Sequence, residues 1–446
     1  MAPEQAAVVK APDADAAGRA DGGALINRDF ARLWAGETVS QVGSQVTLFA
    51  LPLVAILTLR ATVLQVGVLN ALRFVPVIVV ALFAGVVLDR RRRRPVLIAC
   101  SLVNAVLIGL VPLAAVTGKL SMGLLYVLAV LVGTLTVCFD VGALSYVPFL
   151  VGREHLTDAN SKIQASTAFA GIAGPGLAGL LIGLVTAPIT LTADAVSYLF
   201  SAAGLLSIRR PEPGPDPGQE RLPLRRSVAE GFRAVYGTRL LRVLLTQSAV
   251  LNVGFGATST IFTVYALRTL GLTPLKLGIV MGALQAGALL GSLSAARVKR
   301  ALGLGRTLAV SVVFVSLSPI LLLVPRGAGV AAIVMLAASW LGHGGGIAVW
   351  NVNTITLRQA VTPTRLLARM NATYRMLLFG ALPAGSLVGG LLGSAAGLRA
   401  ALIAAVVVLA APVLWIFFSP VFRLTEMPPA PEEPAAAVRP APAEQE

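Results

Sequence analysis

Five ionisable side chains stand inside stretches that are otherwise apolar: Glu37, Arg73, Asp140, Asp194 and His343. A charge held in hydrocarbon is costly, so each is a candidate for proton exchange, ion pairing or ligand contact. Asp140 is the first candidate for a proton-carrying carboxylate, and Glu37 the second. Each has a plainer alternative: a fixed hydrogen bond between helices for Asp140, an ion pair with nearby arginines for Glu37. Arg73 and Asp194 have similar depths, which suits a buried ion pair. His343, in "WLGHGGG", reads as a core histidine or a relay, with glycines beside it that leave room for a ligand. Uncharged cavity candidates accompany these groups: Gln41, Gln45, Asn252, Phe255, Trp350, Asn351 and Asn353. An apolar wall with few fixed polar groups suits a sizeable amphiphilic molecule.

The elements that hold these residues follow from hydropathy. The 446 residues are 56% hydrophobic and 13% charged, with a mean hydropathy of +0.83. Soluble domains carry roughly 25% charged residues, so the chain reads as an all-α integral membrane protein. About 20 apolar residues cross the hydrocarbon core. Runs of that kind number twelve, at 33–59, 66–88, 96–117, 121–147, 163–185, 188–208, 240–267, 276–297, 307–324, 329–357, 374–396 and 398–419. The expected layout is an N-terminal tail (1–26), a six-helix half (27–208), a linker (209–239), a second six-helix half (240–419) and a C-terminal tail (420–446). Both tails read as disordered from their composition. The first half of the linker is a Pro/Gly run. Its second half has the pattern of an amphipathic helix lying along the membrane surface. No cleavable signal peptide is read in the first 26 residues.

The net charge of +16 invites a nucleic-acid partner, but the placement of the basic residues argues against one. With the N-terminus in the cytoplasm, 29 of the 36 Lys and Arg fall in the tails, the cytoplasmic connections and the span ends beside them. Arg60, Lys119, Arg268, Lys276, Arg326 and Arg399 fall on the other side, and Arg73 lies within a span. This is a strong positive-inside bias. It places both termini in the cytoplasm.

An internal repeat accompanies the twelve spans. A shift of 211 residues sets Arg28 on Arg239, Gly43 on Gly254, Gly67 on Gly278, Asn160 on Asn371, Gly174 on Gly385 and Gly179 on Gly390. Two related halves of this kind place a substrate site between them, near the bilayer midplane.

Two motifs sharpen the reading. In "AGVVLDRRRRRPVLIA" (84–99), Gly85, Asp89, Arg90, Arg93 and Arg94 fit Gly-x-x-x-Asp-Arg-x-x-Arg-Arg. This resembles motif A of the major facilitator superfamily. The resemblance implies a conformational latch, with the aspartate set at the start of the eleventh span near Asn371–Arg375. The stretch departs from the pattern at Arg92, where glycine is usual. The repeat-related loop carries Arg300 in place of the aspartate, so the latch is one-sided. "GIAGPGLAGLLIG" (171–183), with Gly171, Gly174, Pro175 and Gly179, resembles motif C of the drug/proton antiporters, which implies export. Longer stretches are similar to the enterobactin-exporter and macrolide-efflux-like branch: "NRDFARLWAGETVSQVGSQVT" (27–47), "LTDANSKIQAS" (156–166), "DAVSYLFSA" (194–202) and "WNVNTITLRQAVTPTRLLARMNATYR" (350–375). Ala368 stands where that branch usually has glycine. The resemblance implies two six-helix pseudo-symmetric bundles, a monomer, and proton-driven efflux of a drug, siderophore or other natural product. The partners it implies are that small molecule, protons and the lipid bilayer.

Absences narrow the field further. No Gly-x-x-x-x-Gly-Lys-[Ser/Thr] occurs, so ATP hydrolysis is not expected. No His/Cys/Asp cluster has metal-ligand spacing, and no cofactor or enzymatic constellation is read. Cys100 and Cys138 both lie in spans and read as structural. Two alternatives stay open: an importer or facilitator of a small metabolite, and a transport-inactive sensor or scaffold.

Overall fold

In hydrocarbon each backbone N–H and C=O must find a partner within the chain, and helices satisfy this segment by segment. The computed structural model describes residues 27–88, 92–152, 154–210, 212, 224–363, 366–422 and 424. The helices are α1 (Arg28–Leu53), α2 (Val63–Leu88), α3 (Arg93–Val116), α4 (Met122–Val151), α5 (Leu156–Leu184), α6 (Ala187–Leu206), α7 (Leu224–Gly237), α8 (Arg239–Arg268), α9 (Pro274–Leu302), α10 (Leu304–Leu317), α11 (Val330–Ala360), α12 (Leu367–Ala395) and α13 (Leu398–Phe418). All except α7 belong to segments long and apolar enough to cross a membrane, twelve in total. The face where α1 begins and α13 ends is called the terminal face below.

α4 and α5 run several residues beyond the hydropathy estimate at the terminal face. The reason is local: polar turns such as Leu156–Lys162 continue a helix past the apolar core, and hydropathy alone stops short of them. α1 changes character at Pro52. Proline has no N–H for the carbonyl four residues back, and the helix passes into a π-helical turn, Val54–Thr58.

The 211-residue shift is geometric as well as sequential. It carries the first residues of α1, α2, α3, α5 and α6 onto those of α8, α9, α10, α12 and α13. α1–α6 pack together as one bundle, and α8–α13 as the other. The bundles meet through two equivalent seams, α2 with α12 and α5 with α9. The glycines that open each seam are themselves repeat-related. A Cβ at Gly67 would lie 2.6 Å from Ser386 O. One at Gly278 would meet Pro175 O, the equivalent atom. A Cβ at Gly390 would lie 3.1 Å from Val63 O and from Leu64 Cα. One at Gly179 would meet Pro274 O and come 2.8 Å from Leu275 Cα. Small residues let two helices approach this closely. These contacts lie where α2 and α9 begin and where α5 and α12 end, so the bundles are sealed at the face opposite the termini. Arg268 adds a bond across that face, to Ala61 O at 2.7 Å.

At the terminal face, the two ends of the linker are fastened to different halves. Asp29 accepts from the backbone N–H of Arg209 (3.3 Å) and Arg210 (3.1 Å). Arg210 donates to Leu150 O at 3.1 Å and lies 4.9 Å over the Phe149 ring. The Glu212 carboxylate accepts from the N–H of Arg93 (2.6 Å) and Arg94 (3.0 Å), satisfying free donors at the start of α3. α7 belongs to the second half. Val235 packs in a cluster with Leu241, Leu245, Met370 and Tyr374, and Glu230 pairs with Arg369. The amphipathic helix expected at the membrane surface therefore docks on α12.

One expected boundary moves. Val421 is fully buried in the core of the second half, and Gly305 N–H donates to Leu424 O at 2.8 Å. Packing thus continues past residue 419. Residues 1–26 and 425–446, expected to be disordered, lie outside the described residues.

Candidate functional site

A cavity of about 290 Å³ lies between the bundles, lined from α1, α2, α5, α8, α9 and α12. Its walls are made of repeat-related pairs: Gln45 and Gly256, Leu48 and Ser259, Phe49 and Thr260, Pro52 and Thr263, Asn70 and Met281, Arg73 and Leu284, Phe74 and Gln285, Gly171 and Leu382, Pro175 and Ser386. A cavity lined by both members of so many pairs straddles the pseudo-twofold axis. That is where repeat-built transport folds hold their ligands. The pairs agree in position and differ in chemistry, so the cavity is symmetric in shape and asymmetric in polarity.

Two further cavities lie in the first bundle. One, of about 300 Å³, is lined by Glu37, Gln41, Ser44, Gln45, Asn104, Thr136, Asp140, Thr167 and Tyr198, among others. It brings together the two carboxylates singled out in the sequence, close enough for one charge to act on the other. Glu37 Oε2 is buried with no hydrogen-bond partner among the described residues. Asp140 is exposed on its wall and feels the charge of Arg375, on α12 of the other bundle. The other cavity, of about 280 Å³, is lined by Ser44, Gln45, Arg73, Thr136, Asp140, Asp194 and Tyr198 with apolar neighbours. Gln45 lines all three cavities and Arg73 two of them.

The expected ion pair of Arg73 with Asp194 is not made. Asp194 is fully buried and accepts from the Thr47 hydroxyl and, at 3.0 Å, from Ser197 Oγ. Its two oxygens are thus held by hydroxyls. Arg73 donates instead to Leu48 O at 3.2 Å. That carbonyl is the one Pro52 leaves without its helical partner, so the arginine supplies the missing donor.

His343 sits in a fully packed aromatic cluster. Its ring stacks on Phe255 (5.2 Å between centroids, 12° between planes) and meets Trp340 edge-on, and its Nδ1 bonds Val315 O at 2.8 Å. The core reading, not the relay, fits this arrangement. Trp350 and Asn353 were expected on a cavity wall and are instead buried in the second bundle. The Trp350 indole donates to Ser248 Oγ at 3.1 Å, and Asn353 bonds back to Val349 O at 2.9 Å. Asn252 likewise bonds Ser248 O at 2.8 Å. Asn351 is exposed. Phe255 and Gln45 line the central cavity, and Gln41 the acidic one, where it accepts from Thr167 Oγ1 at 2.8 Å.

Of the loop motif, Gly85 lies in α2, while Asp89 and Arg90 lie outside the described residues. Arg93 donates to Ser145 O, and Arg94 to Leu205 O and Leu206 O, all in the first bundle. In the α5 motif, Gly171 faces Gln285 of α9, Gly174 faces Gln45 of α1, and Gly179 faces the start of α9. Cys100 and Cys138 are free thiols.

Sequence reasoning missed Asn70, Gln285, Ser259, Thr260 and Thr263. Each is polar in an apolar span, but uncharged polar residues are common enough there to carry little signal alone. The repeat would not have found them either: their partners at the shift of 211, Met281, Phe74, Leu48, Phe49 and Pro52, are wall residues that only the structure reveals. Asn70 donates to Thr260 Oγ1 at 3.1 Å, a hydrogen bond from one bundle to the other.

The family model described as transmembrane secretion effector matches residues 23–442. The multidrug efflux pump Tap of Mycolicibacterium fortuitum is 28% identical over 376 residues, covering 82% of this chain and 88% of Tap. The enterobactin exporter EntS of Escherichia coli is 27% identical over 336 residues, covering 73% of this chain and 76% of EntS. Among solved structures, the nucleoside transporter NupG has a TM-score of 0.71 at 13% identity, covering 88% of this chain and 99% of NupG. An inward-facing, unoccupied bacterial homolog of the human lysosomal transporter Spinster has a TM-score of 0.69 at 15% identity, covering 90% and 98%. Both likenesses are of fold. The family match runs through all twelve spans, and with it the chain belongs to the transmembrane secretion effector family of the major facilitator superfamily, multi-pass transporters of the inner membrane.

Proposed function

We propose that this protein exports a hydrophobic or amphiphilic small molecule by alternating access, driven by protons. The observation that carries this reading is the cavity on the pseudo-twofold axis, closed at one face and adjoined by a second cavity that holds Glu37 and Asp140. The positive-inside bias supports a cytoplasmic terminal face, which makes the sealed face the outer one. The substrate enters the central cavity from the cytoplasm or inner leaflet. The bundles rock until the opposite face parts, and the substrate leaves. A proton from outside then reaches the Glu37–Asp140 cavity and neutralises a carboxylate, and the bundles return. Coupling of this kind needs a carboxylate reached alternately from two sides. Asp140, exposed on the wall and within reach of the charge of Arg375 in the other bundle, meets that need better than Asp194, whose oxygens are already held. Export is the reading favoured over import by two relatives named for efflux and by the glycine-lined α5 seam. The chain acts on protons and a small molecule within the bilayer, without a cofactor and without covalent catalysis.

The test uses everted vesicles with an acid interior and a pH-sensitive dye, given a panel of lipophilic compounds. A compound that is transported should alkalinise the lumen, and Asp140→Asn should reduce that signal at least about tenfold, the scale of losing one charged contact. Unchanged proton-coupled efflux in Asp140→Asn removes Asp140 from the coupling path. Substrate accumulation in intact cells would favour the importer reading.

A further inference from the structure

We infer that the transported molecule carries an acidic group, a carboxylate or an equivalent anion, and that Arg73 binds it. The inference rests on the transport reading of the central cavity and goes beyond it by naming the charge of the substrate.

Among the described residues, Arg73 is the one cation on the wall of the central cavity, and no Asp or Glu lines it. No ion pair joins Arg73 to a carboxylate among the described residues. Asp140 and Asp194 line the neighbouring cavity, but Asp194 is held by Thr47 and Ser197. The guanidinium has five N–H donors, and the bond to Leu48 O uses one. That bond explains a donor at this place, and a lysine or glutamine could supply it. It does not explain a permanent positive charge in the membrane. The repeat sharpens the point. The equivalent position in the second bundle is Leu284, on the same cavity wall, so the architecture is built there without a charge. Arg73 shares the central wall with Gln45, Asn70, Gln285 and Thr260, with apolar residues beyond, and it also lines the neighbouring cavity beside Tyr198. A planar fork beside amides and an apolar wall matches a carboxylate on a lipophilic body.

The experiment uses the full chain in detergent and three probes of one length: 11-(dansylamino)undecanoate, its primary amide, and the trimethylammonium analogue. The reading is the probe concentration that gives half-maximal thermal stabilisation. The carboxylate should act at a concentration about tenfold or more below the amide, with the cation weakest. Arg73→Gln should bring the carboxylate to the level of the amide, erasing the gap between them, whereas loss of a purely structural arginine would weaken both and leave the gap in place. Arg73→Lys should keep most of the preference. Asn70→Asp, which sets a carboxylate on the same wall, should abolish it, and it decides the matter with Arg73→Lys if Arg73→Gln does not fold. Equal potency of acid and amide, preference for the cation, survival of the preference in Arg73→Gln, or no stabilisation by any probe overturns the inference. The same probes in vesicles separate the two readings. An acid preference in binding without movement of any probe keeps the anion site at Arg73 and overturns efflux of lipophilic acids as the function it serves. Movement of all three without preference does the reverse.

Discussion

Arg73 and Leu284 occupy the same place in the two halves and face the same cavity, and only one is charged. The acids follow the same rule. The shift of 211 sets Glu37 on Ser248, Asp140 on Asn351 and Asp194 on Ala405. The carboxylates within the spans are thus concentrated in the first bundle, and neutral residues stand at the equivalent places in the second. Glu37 allows a test at this scale. Its Oε2 has no partner among the described residues, and a buried polar atom left unpaired costs about 1–3 kcal/mol. Glu37→Gln should therefore melt at the same temperature or higher in detergent, while proton-driven transport falls. A lower melting temperature would mean that the contacts of Glu37 with Gln41 and Ser201 outweigh its unpaired oxygen. The ionisable residues themselves were legible in the sequence, because charge in an apolar run stands out. Their partners were not. Arg73 turns to Leu48 O because Pro52 strips that carbonyl of its donor, an event of backbone geometry that similarity of depth with Asp194 could not show. Trp350 and Asn353 were misplaced for a related reason: a hydropathy run tells how deep a residue lies and not which way it points.

Among the elements, the two glycine seams are the parts most strictly specified. Gly278 and Gly67 face equivalent backbone carbonyls, and no side-chain movement can relieve an added Cβ there. Gly278→Leu and Gly67→Leu should each lower stability by about 1–3 kcal/mol or more, read as a fall in melting temperature. The two should behave alike because the seams are equivalent. A large effect from one and none from the other would show that the bundles do not meet symmetrically. The spans, their number and the repeat were legible because hydrocarbon imposes a length and a composition on any crossing helix. α7 was legible as amphipathic but not as docked. Its apolar face reads the same whether it meets lipid or α12, and the Glu230–Arg369 pair joins residues 139 positions apart.

For the whole molecule, the sealed face sets the conformation. Gly393 would place a Cβ 3.3 Å from Val63 Cβ, near the separation of a disulfide, about 3.5–4.5 Å. In a background of Cys100→Ala and Cys138→Ala, the pair Val63→Cys and Gly393→Cys should oxidise readily. Transport should stop on oxidation and return with reductant. Transport that continues after complete cross-linking would show that this face need not open, and alternating access between these bundles would fall. The sequence alone gave no sign of which face is closed, since both conformations are built from one set of helices.

The fastened linker has a mechanical consequence. Glu212 is fixed to the first bundle through α3, and α7 is fixed to the second through α12. The eleven residues between them, 213–223, are a leash only in the covalent sense: their number caps how far the two anchors can part. Fully drawn out, such a stretch reaches about 40 Å. Each residue deleted would shorten it by about 3.5 Å. Deletions should therefore be harmless while slack remains. The first that draws the leash taut should halt the rocking of the bundles abruptly, with a turnover that falls in a step, not a slope.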